Sequence, residues 1–154
     1  MDDERFYSKA FGRDHEVDFT LAGARKAASA GEIGPWLQSY LLAEPRWANP
    51  GLASGLLRVP RVYELFEAEV GQLVRKCGPE PEMKFWQDRE TFERHIKAIA
   101  QSLELIEDLP PLVVEEVDGQ LVVCDGTHRL EAIRAKGWAS CWVIQFSNAE
   151  NRED

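Results

Sequence analysis

The chain has no stretch of apolar residues approaching the ~20 needed to span a bilayer, and its start, M-D-D-E-R-F-Y-S-K-A, is acidic where a secretory signal is basic and then apolar. Both point to a soluble, cytoplasmic protein. It also lacks a cluster of Lys and Arg: 18 basic residues stand against 27 acidic ones, a formal charge of −9. That balance repels a phosphate backbone, so nucleic acid is a disfavoured partner. Cysteine is scarce. Cys77, Cys124 and Cys141 are odd in number and widely spaced, which excludes a disulfide framework and any CxxC metal or redox motif. Each then reads as a small buried hydrophobe, with Cys124 pointing off its strand into packing. There is no internal repeat or low-complexity block. What remains is 154 residues with 44% hydrophobic content, enough for one domain with a real core.

Residues 1 to 31 carry little apolar periodicity, and G-A-R-K-A-A-S-A-G at 23 to 31 is small and polar, so a mobile arm with at most one short helix is expected. From Glu32 the pattern sharpens. Ile33, Trp36, Leu37, Tyr40 and Leu41 recur at the spacing of one helical face, with Pro35 suited to the first turn. P-G-L-A-S-G-L-L-R predicts a second short helix with Leu52, Leu56 and Leu57 inward. The exposed alternative for Trp36, Tyr40 and Trp47 is a surface that docks a protein partner; the packing alternative is that they cover the sheet.

E-L-F-E-A-E-V predicts a half-buried strand, with Leu65, Phe66, Ala68 and Val70 set against Glu67 and Glu69, and G-P-E-P-E a loop. Asp88 is a good N-cap for a helix whose stripe is Phe92, His95, Ile96, Ile99 and Leu103, stopped by D-L-P-P. His95 on that stripe reads as a satisfied, partly buried histidine. L-V-V-E-E-V and Q-L-V-V-C flank Asp118-Gly119, the pair favoured in a two-residue hairpin turn. That turn sets Val117 opposite Gln120, Val114 opposite Val123 and Leu112 opposite Asp125. Thr127 to Lys136 follows as a helix capped by Gly137, then the strand C-W-V-I-Q-F and a solvated acidic tail.

The junction C-D-G-T-H-R joins a strand directly to a helix. The first N–H groups of such a helix have no partner, and glycine lets another group approach the backbone. Thr127 adds a hydroxyl, His128 a donor of variable charge and Arg129 a planar fork, a set suited to phosphate at the positive end of a helix dipole. The structural alternative makes Asp125 a helix cap and pairs His128 and Arg129 with acidic neighbours such as Glu131. Glu115 and Glu116 read as solvent-facing strand residues, and Arg134 as a surface partner of Glu131.

The run from Pro110 to Ile144, P-P-L-V-V-E-E-V-D-G-Q-L-V-V-C-D-G-T-H-R-L-E-A-I-R-A-K-G-W-A-S-C-W-V-I, resembles the C-terminal half of the ParB/sulfiredoxin fold. The likeness is strong over residues 107 to 146 and weaker over 60 to 106. It implies an α/β (α+β) class: a small mixed sheet with helices over residues 58–147, preceded by a helical N-terminal extension (1–57) and followed by an acidic tail (148–154). The extension resembles uncharacterised bacterial ParB-like proteins and inherits no function. The superfamily's partition proteins bind CTP, its sulfiredoxins use ATP, and one branch phosphorylates free serine; all seat nucleotide phosphates where this chain has Asp125, Gly126, Thr127, His128 and Arg129.

Departures separate the branches. Sulfiredoxin requires a cysteine where Thr127 stands, and a hydroxyl cannot replace a thiolate there. Partition proteins carry a Gly-Glu-Arg-Arg-type signature and a DNA-binding domain, whereas here D-G-T-H-R occupies the signature. The free-serine kinase branch matches best, with its His-Arg signature and a glutamate in the loop holding Glu80 and Glu82. The resemblance therefore implies ATP or ADP, with CTP as an alternative, a small-molecule hydroxyl acceptor, and Glu80 or Glu82 as the base. Asp125 would hold Mg²⁺ through water, with no other metal ligand indicated. The rival class is a non-catalytic nucleotide-sensing or protein-interaction module. The two differ in one respect: an enzyme needs Glu80 or Glu82 near the phosphate pocket. A nuclease lacks support, because no carboxylates cluster at metal-ligand spacing.

Overall fold

The computed structural model describes residues 17–43, 49–102 and 109–149. Three helices open it, α1 (Leu21–Ser29), α2 (Ile33–Leu41) and α3 (Pro50–Leu56). There follow β1 (Arg61–Glu69), a 3₁₀ turn (Val70–Gln72), and three two-residue strands: β2 (Leu73–Val74), β3 (Cys77–Gly78) and β4 (Phe85–Trp86). The long helix α4 (Arg89–Ser102), the hairpin β5 (Leu112–Val117) and β6 (Gln120–Asp125), helix α5 (Thr127–Ala135) and strand β7 (Ser140–Asn148) complete it. The expected mixed α+β class is what forms. Five strands make one mixed sheet in the order β1-β7-β5-β6-β2, while β3 and β4 pair separately as a parallel ribbon. Pairs β1–β7 and β5–β6 are antiparallel, and β5–β7 and β2–β6 parallel.

The central strand β5 is buried on both faces at Leu112, Val113 and Val114, each at most 1% exposed, as a strand covered on both sides must be. Helix α2 buries all five residues of its apolar stripe. Trp36 and Tyr40 stack with ring centroids 5.8 Å apart, and Phe19 meets both edge-on. These aromatics are core, not a docking surface; Trp47 lies outside the described residues. One hydrophobic cluster runs from Phe19 through the N-terminal helices to the sheet and Phe146, so the helical extension is packed into the same core as the strands.

Several expectations need correction. Residues 23 to 31 are not loose: α1 spans most of them, with Ala24 fully buried. Small side chains gave no apolar stripe to read, yet they permit close helix packing, and alanine is the best helix former. Residues 1–16 lie outside the described residues. Leu57 is 71% exposed, because α3 ends at Leu56 and the chain turns before Leu57 can face inward. Val70 is buried in the 3₁₀ turn rather than in the strand. Leu103 and Asp108 also lie outside the described residues, as does the tail beyond Ala149.

The hairpin turn forms as expected, with Asp118 at φ 52° and Gly119 at φ 81°. Register holds from Val117↔Gln120 to Val114↔Val123, then slips: Val113, not Leu112, faces Asp125. Cys124 is the extra residue of a bulge. A bulge bends its strand and re-aims the neighbouring side chains, and here it does so immediately before the junction with α5.

Candidate functional site

Asp125 ends β6, Gly126 turns the chain and Thr127 begins α5. Gly126 holds φ at +106°, a conformation open only to glycine. A Cβ there would lie 2.6 Å from both Arg129 Nη2 and Leu112 Cδ2. No side chain caps the helix. Leu130 N–H is the first to bond back, to Gly126 O at 2.9 Å, so the amides of Thr127, His128 and Arg129 open the helix without intrahelical partners. The Asp125 carboxylate, expected as a possible cap, is engaged elsewhere.

That engagement decides the role of Arg129. Its Nη2 donates to Asp125 Oδ2 at 2.9 Å, and its Nη1 donates to Tyr40 Oη at 2.6 Å. The guanidinium also lies over the Tyr40 ring, 5.3 Å from its centroid. The residue is 3% exposed. Arg129 is therefore held inward as a brace, paired with Asp125 rather than with Glu131. Asp125 Oδ1 accepts from Asn49 Nδ2 at 3.1 Å, and Asn49 Oδ1 caps α3 by accepting from Leu52 N at 3.2 Å. Two residues of the N-terminal region, Tyr40 and Asn49, thus fix the junction.

The helix start opens into a cavity of about 620 Å³, a size typical of small-molecule sites. Asp125, Gly126, Thr127, His128 and Arg129 all line it, so the five expected residues are together. The rest of the lining includes Lys76, Cys77, Phe85 and Gln87 of the 76–87 segment, with Asn49, His95 and Cys124. Sequence reading missed this part of the lining. The ammonium of Lys76 sits 3.6 Å from Cys124 Sγ, two residues before the turn, and supplies a positive charge beside the helix start. Cys124 is partly buried and packed against the core as expected, and it also lines the cavity. Burial pushes its thiol pKa up, with Lys76 pulling the other way, so it is protonated near neutrality and no nucleophile.

His128 faces Gln87, its Nε2 donating to Oε1 at 2.7 Å. Its ring lies 5.2 Å from Phe92 and edge-on to His95 at 4.9 Å. Burial, then the neighbouring His95 and Arg129, lowers its pKa from 6.5 to about 4. In this state His128 is a neutral donor, not a cation. The positive charge beside the helix start comes from Lys76.

Glu80 and Glu82 do not line the cavity. Glu80 accepts from Arg75 at 2.8 Å, which holds its carboxyl below the ordinary range; Arg75 also pairs with Glu131 at 3.1 Å. A carboxylate so engaged is a weaker proton acceptor. Glu82 is exposed. Arg134 pairs with Glu131 as expected, at 2.5 Å, and also donates to Leu73 O. Asp125 is the one carboxylate of the cavity wall among the described residues, and it does not suit magnesium: both oxygens are bonded, one to a guanidinium whose charge repels a second cation. Among the described residues no three His, Cys, Asp or Glu gather to hold a metal ion, and no helix is long and apolar enough to cross a membrane.

Fold and site together define a mixed α+β protein with a concave, mildly cationic site over a strand-to-helix junction. No family model matches the chain, and no curated protein matches it. Among solved structures it is similar to sulfiredoxin from Arabidopsis thaliana, at 23% identity and a TM-score of 0.40, over 53% of this chain and 83% of that one. It is also similar to a Pnob8-like ParB-N domain, at 16% identity and a TM-score of 0.34, over 59% of this chain and 32% of that one.

Proposed function

We propose that the cavity binds a nucleotide, its phosphates seated on the first turn of α5. One observation carries this reading: the uncapped N-terminus of a nine-residue helix opens into a cavity of about 620 Å³ that Lys76 also lines, its ammonium unpaired with any carboxylate among the described residues. Three amides and the Thr127 hydroxyl donate to phosphate oxygens, and Lys76 offsets their charge; His128, its one N–H given to Gln87, fixes that wall of the site. Arg129 acts from behind, holding Asp125 so that Gly126 and the amides keep their direction. The resemblance of residues 107 to 146 to the ParB/sulfiredoxin fold supports the same position for the phosphates.

The binding role is favoured over phosphoryl transfer to a small hydroxyl acceptor, because neither Glu80 nor Glu82 lies on the cavity wall and transfer needs a base at the acceptor. Calorimetric titration with ATP, ADP, CTP and GTP, with and without Mg²⁺, tests the proposal. At least one nucleotide should bind, and Lys76→Met and Thr127→Ala should each weaken it; no binding by the unaltered protein, or undiminished binding by both variants, contradicts it. ADP release from ATP in the presence of pooled hydroxyl metabolites would restore the transferase reading.

A further inference from the structure

Phe85 is large, apolar and 51% exposed, and it lines the same cavity as the helix start. Its position is built rather than incidental. The ribbon carrying it is fixed by Phe85 N donating to Lys76 O at 2.8 Å and Gln87 N donating to Gly78 O at 2.9 Å. Side chains alternate along an extended segment, so Phe85 and Gln87 share a side while Trp86 turns away, its Nε1 donating to Pro79 O at 3.0 Å. Gln87 marks which side that is, because it meets His128 in the first turn of α5. Phe85 therefore stands one two-residue repeat, about 7 Å, further along the wall from the phosphate end. The ammonium groups of Lys76 and Lys84 lie over its ring, 5.7 and 5.4 Å from the centroid, on flexible stems that a stacking ring can displace, in a chain of net charge −9.

The geometry points to Phe85 as the platform on which the ring of the bound nucleotide stacks, with the phosphates directed to α5 and the ribose between them over Gln87. This rests on the nucleotide reading and adds to it a specificity. Stacking on an aromatic face is tolerant of base identity, since every base has a π-face, and it favours the larger purines. The site should accept ATP and GTP alike, and CTP more weakly.

Calorimetry on the full chain tests this with ATP, GTP, CTP and inorganic tripolyphosphate. Phe85→Ala should weaken ATP binding about five- to a hundredfold and leave tripolyphosphate binding unchanged, while Phe85→Trp should retain ATP binding and Phe85→Leu should weaken it. Circular dichroism verifies that each variant is folded, which half-exposure of the ring favours. Undiminished ATP binding by Phe85→Ala, or equal losses for ATP and tripolyphosphate, overturns the platform while leaving the phosphate site standing. Tripolyphosphate binding without nucleotide binding overturns it too, and absence of binding by either ligand removes both claims.

Discussion

Replacing Arg129 by Met removes one half of a buried ion pair and leaves the other half in place. The pair is 2.9 Å long, with side chains 4% and 13% exposed. At an effective dielectric near 20 its attraction is about 6 kcal/mol, much of it offset by the desolvation of both groups. What survives on truncation is the cost of an uncompensated carboxylate, about 3–5 kcal/mol. Asn49 still donates to Asp125, which favours the lower end, about 3 kcal/mol. Losing the hydrogen bond to Tyr40 adds to it. For a domain of this size that corresponds to a fall in melting temperature of about 6–12 °C. Urea denaturation with linear extrapolation measures it, and the decisive comparison is Asp125→Asn with Arg129→Met in one chain. Because the double variant leaves no buried charge, it should recover at least half of the loss. An Arg129→Met protein within about 1 kcal/mol of the unaltered one, or a double variant whose loss equals the sum of the singles, refutes the brace.

Gly126→Ala should destabilise the protein by at least about 2 kcal/mol in the same assay, since it combines a forbidden φ with contacts of 2.6 Å; a change under half that size contradicts the strained turn. Asn49→Ala removes both a helix cap and a bond to Asp125, about 2 kcal/mol together, and should weaken nucleotide binding as well; an effect on stability alone would limit Asn49 to capping α3. His128 titrates at about 4 when folded and near 6.5 when unfolded. The unfolded chain thus binds the extra proton, so its contribution to stability is full above pH 6.5 and is lost as pH falls toward 4, by up to about 3 kcal/mol. Denaturation of His128→Gln across that range should show a shallower decline than the unaltered protein, and an identical pH slope counts against the buried neutral imidazole.

Much of the fold was legible because its signals are local. The Asp118-Gly119 pair dictates its turn, Asp88 caps α4 by accepting from Thr91 N, and Gly137 ends α5 at φ +77°. The five-residue stripe of α2 is buried throughout. Helix α1 could be allowed for but not placed, because beyond Leu21 its inward face is small residues such as Ala24 that carry no apolar period. The slip at Cys124 was missed because a bulge depends on where the neighbouring strands sit, and the turn alone fixes only the near end of a hairpin. The candidate site divides in the same way. Residues 125 to 129 are contiguous, so their joint position could be read. Phe85 reaches the cavity on a two-residue strand, and Lys76 and Gln87 from the irregular chain beside such strands, with no periodicity to detect, and Asn49 and Tyr40 reach it only through tertiary packing. Arg129 shows a different gap: its identity suggested a phosphate fork, but the partner that claims it, Tyr40, is 89 residues away.

The central claim is that a nucleotide's phosphates rest on the first turn of α5, and amide chemical shifts report on that turn directly. In a ¹H–¹⁵N correlation titration with ADP, the largest shifts should fall on the backbone amides of Thr127, His128 and Arg129, with Gln87 and Lys76 following. Saturable shifts that cluster elsewhere on the fold, or an unchanged spectrum at millimolar ADP, would contradict it.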